Sequence, residues 1–364
     1  MDVVHTDPRV VDPVSAFPAI WLRDNCPCAE CRDPGNGQKL FGITDVPTDL
    51  TVRSADRADG TIAITFDPDG HRAVFSEAWL SACRSATDGD GRTEASKQMW
   101  IAEELGQELP TVRWSDYRDD PVERARTLRA VQDLGFAVLH GTPTEPDTVL
   151  AITATFGYPR ETNYGKLFDV RVEPSPTNLA FTGRGIAPHT DNPYRDPVPT
   201  LQLLHCLSNA AEGGDSGLVD GFKAAALLRA ENERAFDLLT TTLVSFAWSD
   251  AHASLRADRP MIDIDSRGHI REVRFNNRSM QALKLEGDAA AAFYDAYRHF
   301  AEIIARPELL VTFRLDAGDC VIFDNTRLLH ARTAFAATGA RHLQGCYADL
   351  DALSSALRIL EQAG

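Results

Sequence analysis

The sequence predicts a mainly β (α+β) fold: a jelly-roll barrel with helices packed against its outside, preceded by a small zinc-binding β domain. Short strand-like runs dominate the chain after Asn178. Candidate metal ligands occur at two points far apart in the chain, around His189 and around His330. Three cysteines are crowded into one N-terminal stretch, LRDNCPCAECRD. We therefore expect residues 1–98 to form the zinc-binding domain with its linker, and residues 99–364 to form the jelly-roll domain.

Length and charge limit the classes of function. At 364 residues the chain is long enough for one large domain and a smaller one. Its net charge of −16 argues against nucleic acid or an anionic membrane as a partner. No apolar run approaches the roughly 20 residues of a membrane span, and the N-terminus lacks the basic start and apolar core of a signal peptide. We expect a soluble, cytoplasmic protein.

The clustered cysteines predict a metal site in the N-terminal domain. In a cytoplasmic chain, the spacing of Cys26, Cys28 and Cys31 indicates metal binding rather than disulfides. Three thiolates need a fourth ligand to complete a tetrahedral zinc site. His71, in a turn between TIAITFD and HRAVFS, is the best candidate, and His5 is the alternative. Such a site is structural, because a closed shell of four ligands leaves no open position.

The rest of this domain is expected to be β-rich. Strands are predicted near Ile43, near Val52 and from Ile62 to Phe66. The polar, glycine-bearing segment SATDGDGRTEASKQ (residues 85–98) is the expected linker.

The second domain begins with helices and continues with strands. PVERARTLRAVQDLG has apolar residues at helical spacing and ends at Gly135, FAVLHG is strand-like, and TEPDTVLAITATFG is a second amphipathic helix. Strands are predicted over LQLLHCL, TTLVSFAW, MIDIDS, IREVRFN, ELLVTFRL, DCVIFD and HLQGCYADL. Further helices are predicted over FKAAALLRAENERAFDLL and EGDAAAAFYDAYRHFAEIIA.

Four residues predict an iron site. His189 and Asp191 are two residues apart on a strand-like segment, so both can reach one metal ion. A distant second imidazole, His330, completes a facial triad whose other face stays open for oxygen and a cosubstrate. Arg341 is placed to clamp the distal carboxylate of 2-oxoglutarate with two parallel charge-assisted bonds. The implied reaction is oxidative attack on a C–H bond coupled to decarboxylation of 2-oxoglutarate.

The same residues also have simpler interpretations that need no metal. A chain with ten histidines and many aspartates contains an H-x-D pattern by chance alone, and His330 by itself could be a buried core histidine. The context favours a metal site, because LQLLH follows the first ligands, GDCVIFDN precedes His330, and Arg341 opens a segment that runs to Tyr347. An iron-dependent binding or sensor protein with a degenerate barrel is the non-enzymatic alternative.

Seven stretches of the chain resemble a known family. The stretches WLRDNCPCAEC, HTDNPY, LQLLHC, GGDSGLVDGF, FNNRSM, FDNTRLLHAR and RHLQGCYADLD are similar to the γ-butyrobetaine dioxygenase family of Fe(II)/2-oxoglutarate oxygenases over nearly the full length. The resemblance implies a zinc domain, a double-stranded β-helix core, a homodimer, and assistance by ascorbate. It implies iron at His189, Asp191 and His330, 2-oxoglutarate at Arg341, and zinc at Cys26, Cys28, Cys31 and His71.

The family's substrates carry a trimethylammonium head and an anionic tail. A quaternary ammonium cannot donate hydrogen bonds, so an aromatic box is the physical solution. The matching positions are Tyr164, Phe168, Phe181 and Tyr347. Phe168 and Phe181 replace the tryptophan and the tyrosine that are usual there. We therefore expect a small quaternary ammonium compound and O2 as substrates.

The tail site departs from the family pattern. Two asparagines hold the carboxylate in family members, and the matching positions here are Asn178 and Asn277, with Asn192 and Tyr194 as further polar groups near the iron motif.

Two arginines, Arg195 and Arg278, add guanidinium groups that suit a tetrahedral dianion. The sequence therefore favours 2-(trimethylamino)ethylphosphonate, hydroxylated at C1, with γ-butyrobetaine hydroxylation to carnitine as the alternative. Arg278 pointing to solvent, or Arg195 bridging Asp196 or Glu161, would remove this preference. Oxygenases of sulfonates or of trimethyllysine are the remaining rivals.

Overall fold

The computed structural model describes residues 14–85, 97–105, 109–172, 182–335 and 341–363. The chain divides into two compact units, Met1–Thr93 and Glu94–Gly364. Most of the segment expected to be a linker, residues 86–96, lies outside the described residues, and so does His5.

The N-terminal unit is built on a three-stranded antiparallel sheet of order β1-β2-β3. Its elements are α1 (Ala19–Asp24), β1 (Thr51–Ala58), β2 (Thr61–Asp67), β3 (Arg72–Ser76) and α2 (Glu77–Ser85). Ile62, Ile64 and Phe66 alternate along β2 and are fully buried. The strands expected near Val52 and over Ile62 to Phe66 are therefore confirmed.

The strand predicted near Ile43 is wrong, since Ile43–Asp45 forms one turn of 3-10 helix. The carboxylate of Asp45 accepts a hydrogen bond from the backbone N–H of Gly42 at 2.8 Å. This local bond gives the backbone an alternative to strand pairing, which hydrophobicity alone does not predict.

The second unit contains two main sheets, two small hairpins and seven helices among its described residues. Its first half consists of β4 (Thr111–Arg113), α3 (Trp114–Asp119), α4 (Pro121–Leu134), β5 (Phe136–His140), α5 (Thr148–Thr153), β6 (Phe168–Arg171), β7 (Ile186–His189), β8 (Leu201–Asn209) and β9 (Ser216–Asp220). Its second half consists of α6 (Gly221–Glu231), α7 (Glu233–Thr241), β10 (Val244–Ser249), β11 (Ser254–Arg259), β12 (Ile262–Ile264), β13 (Ile270–Val273), α8 (Gly287–Ile304), β14 (Leu310–Phe313), β15 (Cys320–Asp324), β16 (Leu328–Arg332), β17 (Arg341–Ala348) and α9 (Leu350–Ala363).

The larger sheet has six strands in the order β4-β5-β15-β8-β17-β6. Only the β4–β5 pair is parallel among its described pairings. The smaller sheet has the antiparallel order β14-β9-β16-β7. Neighbours in both sheets are far apart in sequence, so these pairings depend on tertiary contacts.

Strand alternation sorts the core into layers. Ile322 of β15 packs with Leu128 of α4 and Leu353 of α9. The next residue, Phe323, faces the other way and packs with Leu218 of the smaller sheet. The two sheets therefore enclose one apolar layer, and helices cover the outer side of the larger sheet. The predicted core of short strands with flanking helices is confirmed.

Helix ends follow local chemistry. Gly135, in the left-handed region with φ +90°, ends α4 as expected. FKAAALLRAENERAFDLL, predicted to be helical, forms two helices, α6 and α7. Asn232 has non-helical backbone angles, and its side chain accepts a hydrogen bond from the N–H of Ala235 at 3.0 Å, so it caps α7.

Among the described residues, no helix combines the length and the apolar character that crossing a bilayer requires.

Candidate active site

Strand pairing brings the predicted iron ligands together. His189 ends β7 and lies directly opposite His330 of β16, with their ring centres 4.1 Å apart. Asp191 follows β7 by two residues. Its Oδ1 is 3.4 Å from His189 Nε2, and its Oδ2 is 3.7 Å from His330 Nε2. One ligand atom from each residue lies within 4.8 Å of the others.

The protonation states fit a divalent metal. The Nδ1 of His189 lies 2.9 Å from the carbonyl of Ala187. This contact favours the tautomer protonated at Nδ1, which leaves the lone pair of Nε2 available to a metal ion. Burial and the neighbouring His189 lower the pKa of His330 to about 3, so this ring is neutral. Burial opposes the charge on Asp191, but His330 and His189 hold the pKa of that carboxyl below its usual range. Two imidazoles and one carboxylate are the donor set of non-haem iron(II).

Asn325 fixes the backbone of the carboxylate ligand. Its Oδ1 accepts a hydrogen bond from the N–H of Asp191 at 2.8 Å, and its Nδ2 donates to the carbonyl of Asp191 at 3.0 Å. The same Nδ2 donates to the carbonyl of Pro199 at 3.0 Å. Because Asn325 directly follows β15, the larger sheet sets the position of Asp191.

A cavity of about 440 Å³ lies beside the three ligands, with side chains of both sheets in its lining. It has space for a small substrate and a cosubstrate together. Arg341, at the start of β17, lines it as a buried guanidinium. Its Nη2 donates to the carbonyl of Gly214 at 3.2 Å, and its Nε has no partner among the described residues.

A buried, incompletely paired guanidinium indicates an anionic ligand. Burial lowers the pKa of Arg341, because a charge held away from water costs free energy, and a bound anion would offset this cost. Gly214 leaves room for this side chain, since a Cβ there would lie 3.1 Å from Arg341 Nε. Gly214 also has φ +74°, which other residues adopt only with strain.

Aromatic side chains form a second group in the lining. The ring of Phe168 lies 6.4 Å from that of Tyr164 and 5.1 Å from that of Tyr347. Trp248 lies 5.6 Å from Tyr164 and 6.0 Å from Tyr194. The hydroxyls of Tyr164 and Tyr194 are hydrogen-bonded at 3.0 Å. We call these five residues, Tyr164, Phe168, Tyr194, Trp248 and Tyr347, the aromatic group.

The sequence placed Tyr164, Phe168 and Tyr347 together, whereas Phe181 lies outside the described residues. Sequence reasoning missed Trp248, because it shares one side of β10 with buried Val244 and Phe246 and so resembles another core residue.

Glycine makes room for one of these rings. Gly345 of β17 pairs directly with Phe168 of β6, and a Cβ on Gly345 would lie 2.5 Å from the Phe168 ring. The ring therefore lies over the glycine and beside Tyr347.

The predicted polar residues separate into two sets. Asn192 and Arg278 line the cavity, although Arg278 is also exposed to solvent, whereas Arg195 is not in the lining and donates a hydrogen bond to Asn163 Oδ1. Asn277 is exposed and lies outside the lining, and the adjacent Asn276 lines the cavity instead. Asn178 lies outside the described residues.

Asn192 is unusual among the lining residues. Its side chain is only 3 % exposed, and neither its Oδ1 nor its Nδ2 has a partner among the described residues. It adopts φ +56° directly after Asp191. A buried amide without partners indicates a polar ligand group.

Two further lining residues were not anticipated. Arg332 adds a second buried guanidinium, whose Nη2 donates to the carbonyls of Thr182 and Arg184. Gln202, buried on β8, also faces the cavity. Nothing in one sequence separates Arg332 from a surface arginine, or Gln202 from its apolar neighbours in LQLLHC.

The N-terminal unit holds the second predicted cluster. The Nε2 of His71 lies 3.2 Å from Cys26 Sγ, 3.6 Å from Cys28 Sγ and 3.5 Å from Cys31 Sγ. Arg23 donates to Cys31 Sγ at 3.2 Å. Three sulfurs and one imidazole converging on one point fit a tetrahedral zinc ion.

Two family models match the chain. "Taurine catabolism dioxygenase TauD, TfdA family" matches residues 95–347, and "Gamma-butyrobetaine hydroxylase-like, N-terminal" matches residues 11–81.

Curated relatives match over nearly the whole chain. A gamma-butyrobetaine dioxygenase of Pseudomonas sp. (strain AK-1) is 38% identical, covering 96% of this chain and 91% of the relative. The human gamma-butyrobetaine dioxygenase is 31% identical, covering 96% of this chain and 92% of the relative. A trimethyllysine dioxygenase of Meyerozyma guilliermondii is 28% identical, covering 94% and 90%.

A solved structure of an asparagine oxygenase with Fe(II), hydroxyasparagine and succinate shares the fold. It is 18% identical, with a TM-score of 0.50, covering 65% of this chain and 82% of that one.

Proposed function

The chain belongs to the gamma-butyrobetaine hydroxylase-like group of the TauD, TfdA dioxygenase family, and we propose that it hydroxylates γ-butyrobetaine to carnitine. It is an iron(II)- and 2-oxoglutarate-dependent dioxygenase. The observation that carries the choice of substrate is the aromatic group, which shares one cavity with the iron ligands. The names of the two gamma-butyrobetaine dioxygenases among the curated relatives support the same substrate class.

His189, Asp191 and His330 would hold iron(II) on one face and leave the opposite face to the cavity. Iron bound there supplies the activation of oxygen that is coupled to oxidative decarboxylation of 2-oxoglutarate. The buried guanidinium of Arg341 binds the distal carboxylate of 2-oxoglutarate and sets its direction in the cavity. The apolar walls between the sheets exclude water from the reacting groups.

The aromatic group binds the trimethylammonium head. Ring faces attract a cation that cannot donate hydrogen bonds, and this attraction strengthens when water is excluded. Phe168 is a weaker π donor than the tryptophan usual at this position. Trp248 lines the same cavity and supplies an indole face. The head is therefore held by Trp248 together with Tyr164 and Tyr347.

The anionic tail binds at Asn192 and Arg278. Neither amide atom of the Asn192 side chain has a partner among the described residues. The charge of Arg278 helps to lower the pKa of Asp191, so the Arg278 guanidinium acts near the iron site. Fixing the head and the tail together decides which carbon faces the metal. The relatives favour a carboxylate tail. Because Arg278 lines the cavity, 2-(trimethylamino)ethylphosphonate is the second candidate.

The N-terminal cluster binds zinc in this proposal. Cys26, Cys28, Cys31 and His71 use all four tetrahedral positions, so zinc there stabilises the unit and takes no part in the reaction.

The test offers γ-butyrobetaine, 2-(trimethylamino)ethylphosphonate and trimethyllysine separately to the enzyme with iron(II), 2-oxoglutarate, ascorbate and oxygen. Hydroxylated products are measured by mass spectrometry. We expect γ-butyrobetaine to have the highest kcat/KM, and Arg278→Gln to raise its KM. A preference for the phosphonate that Arg278→Gln removes would select the second candidate. Hydroxylation of trimethyllysine alone would contradict both.

A further inference from the structure

The two oxygens of the Asp191 carboxylate have different surroundings. Oδ2 accepts hydrogen bonds from Gln202 Nε2 and from the Tyr347 hydroxyl, both at 3.1 Å. Oδ1 lies 3.4 Å from His189 Nε2, and Oδ2 lies 3.7 Å from His330 Nε2. The hydrogen bonds from Gln202 and Tyr347 therefore engage Oδ2 alone, whereas Oδ1 faces His189.

The two donors sit on a rigid support. Gln202 of β8 and Tyr347 of β17 are direct partners in the larger sheet. Gln202 is 1 % exposed and Tyr347 is 4 % exposed. The pair therefore meets Asp191 from the sheet opposite β7, and neighbouring side chains restrict both donors.

This arrangement matters for the number of open metal positions. A carboxylate that binds through both oxygens takes two positions, whereas a facial triad must leave three for the cosubstrate and oxygen. An oxygen that already accepts two hydrogen bonds is a weaker metal ligand, because its lone pairs are engaged. Hydrogen bonds to a ligating carboxylate also fix its orientation.

We propose that Gln202 and Tyr347 are positioning residues that restrict Asp191 to metal binding through Oδ1 alone. The proposal rests on the proposed function only in that a metal occupies the triad. Tyr347 thereby has two roles, since its ring belongs to the aromatic group and its hydroxyl holds the metal ligand.

The test measures metal binding without turnover. Enzyme freed of iron is titrated with Mn(II), which prefers oxygen and nitrogen ligands and so avoids the thiolate cluster. The electron paramagnetic resonance signal of unbound Mn(II) measures its free concentration and so gives the Kd. The line shape of bound Mn(II) reports its coordination. The titration is repeated with N-oxalylglycine, an unreactive analogue of 2-oxoglutarate. The variants are Tyr347→Phe, Gln202→Leu and the double substitution.

Tyr164→Phe is the matched control. Its ring lines the same cavity, but its hydroxyl bonds to Tyr194 instead of Asp191. We expect Tyr347→Phe and Gln202→Leu each to raise the Kd for Mn(II) by about tenfold, the usual cost of losing such a partner. The line shape should change, and N-oxalylglycine should bind more weakly. Tyr164→Phe should keep the wild-type Kd for Mn(II) and the wild-type line shape.

The proposal is overturned if Tyr347→Phe retains the wild-type Kd and line shape. This variant is nearly isosteric, so it decides the question even if Gln202→Leu does not fold, which thermal unfolding would reveal. Normal Mn(II) binding without hydroxylation of γ-butyrobetaine would contradict the proposed substrate alone. Failure of the wild-type chain to bind Mn(II) would contradict both proposals.

Discussion

His189 and His330 are direct partners on neighbouring antiparallel strands, with their ring centres 4.1 Å apart. The register of β16 against β7 therefore builds two-thirds of the metal site. A slip of one residue would turn His330 to the opposite face of the sheet. Asp191 completes the site because Asn325 holds its backbone from the other sheet.

The first prediction concerns the cosubstrate. Arg341→Met should raise the KM for 2-oxoglutarate about ten- to a hundredfold, because a hydrogen bond to a charged group contributes roughly 1.5–3 kcal/mol. The KM for γ-butyrobetaine should change little. Initial rates at varied 2-oxoglutarate measure this effect, and Arg184→Met, which changes an exposed arginine, is the control. Equal increases in both KM values would contradict the assignment of Arg341.

The second prediction separates charge from shape in the aromatic group. Trp248→Leu should raise the KM for γ-butyrobetaine by about thirtyfold, from a loss of about 2 kcal/mol of cation–π attraction. The carbon isostere of γ-butyrobetaine, 5,5-dimethylhexanoate, has the same shape without the positive charge. The inhibition constant of the isostere should change much less. If both ligands lose affinity equally, Trp248 is only an apolar wall.

A third prediction concerns stability. Arg327 and Asp220 form a fully buried pair, with Arg327 Nε 3.2 Å from Oδ1 and Nη2 2.8 Å from Oδ2. Asp220→Asn should lower the free energy of unfolding by about 3–5 kcal/mol, because it removes the countercharge of a buried guanidinium. Urea denaturation measures the loss.

Glu231→Gln is the control for this measurement, because its pair with Arg306 is on the surface. It should cost no more than about 1 kcal/mol. Similar losses in the two variants would contradict the importance of the buried pair.

A fourth prediction tests the zinc proposal. Cys28→Ser should reduce bound zinc from one equivalent to a small fraction, because zinc loses one of its four ligands. Metal analysis after dialysis measures the content, and thermal unfolding should show a less stable N-terminal unit. Cys83→Ser, outside the cluster, should retain full zinc. Retention of one equivalent in Cys28→Ser would exclude this thiolate as a ligand.

The sequence predicted the elements that depend on local pattern. The helix that ends at Gly135 was predicted from its apolar spacing and the glycine at its end, and β15 was predicted from its apolar run. His189 and Asp191 were identifiable as a His and a carboxylate two residues apart on a strand-like segment, and His330 because a strand-turn pattern precedes it.

Residues whose roles depend on long-range pairing were not identifiable. Gln202 faces Asp191 only because β8 pairs with β17 in one register. Trp248 enters the cavity only because of the way the hairpin of β10 and β11 packs. Asn276, and not Asn277, lines the cavity, a difference of one residue that spacing does not resolve.

The central claim is that the iron triad and the aromatic group act on one quaternary ammonium substrate. The most direct measurement is the ratio of hydroxylated γ-butyrobetaine to succinate formed by the wild-type enzyme. We predict one molecule of each per turnover, and neither product from His330→Ala. Succinate formation without hydroxylated γ-butyrobetaine would contradict the account.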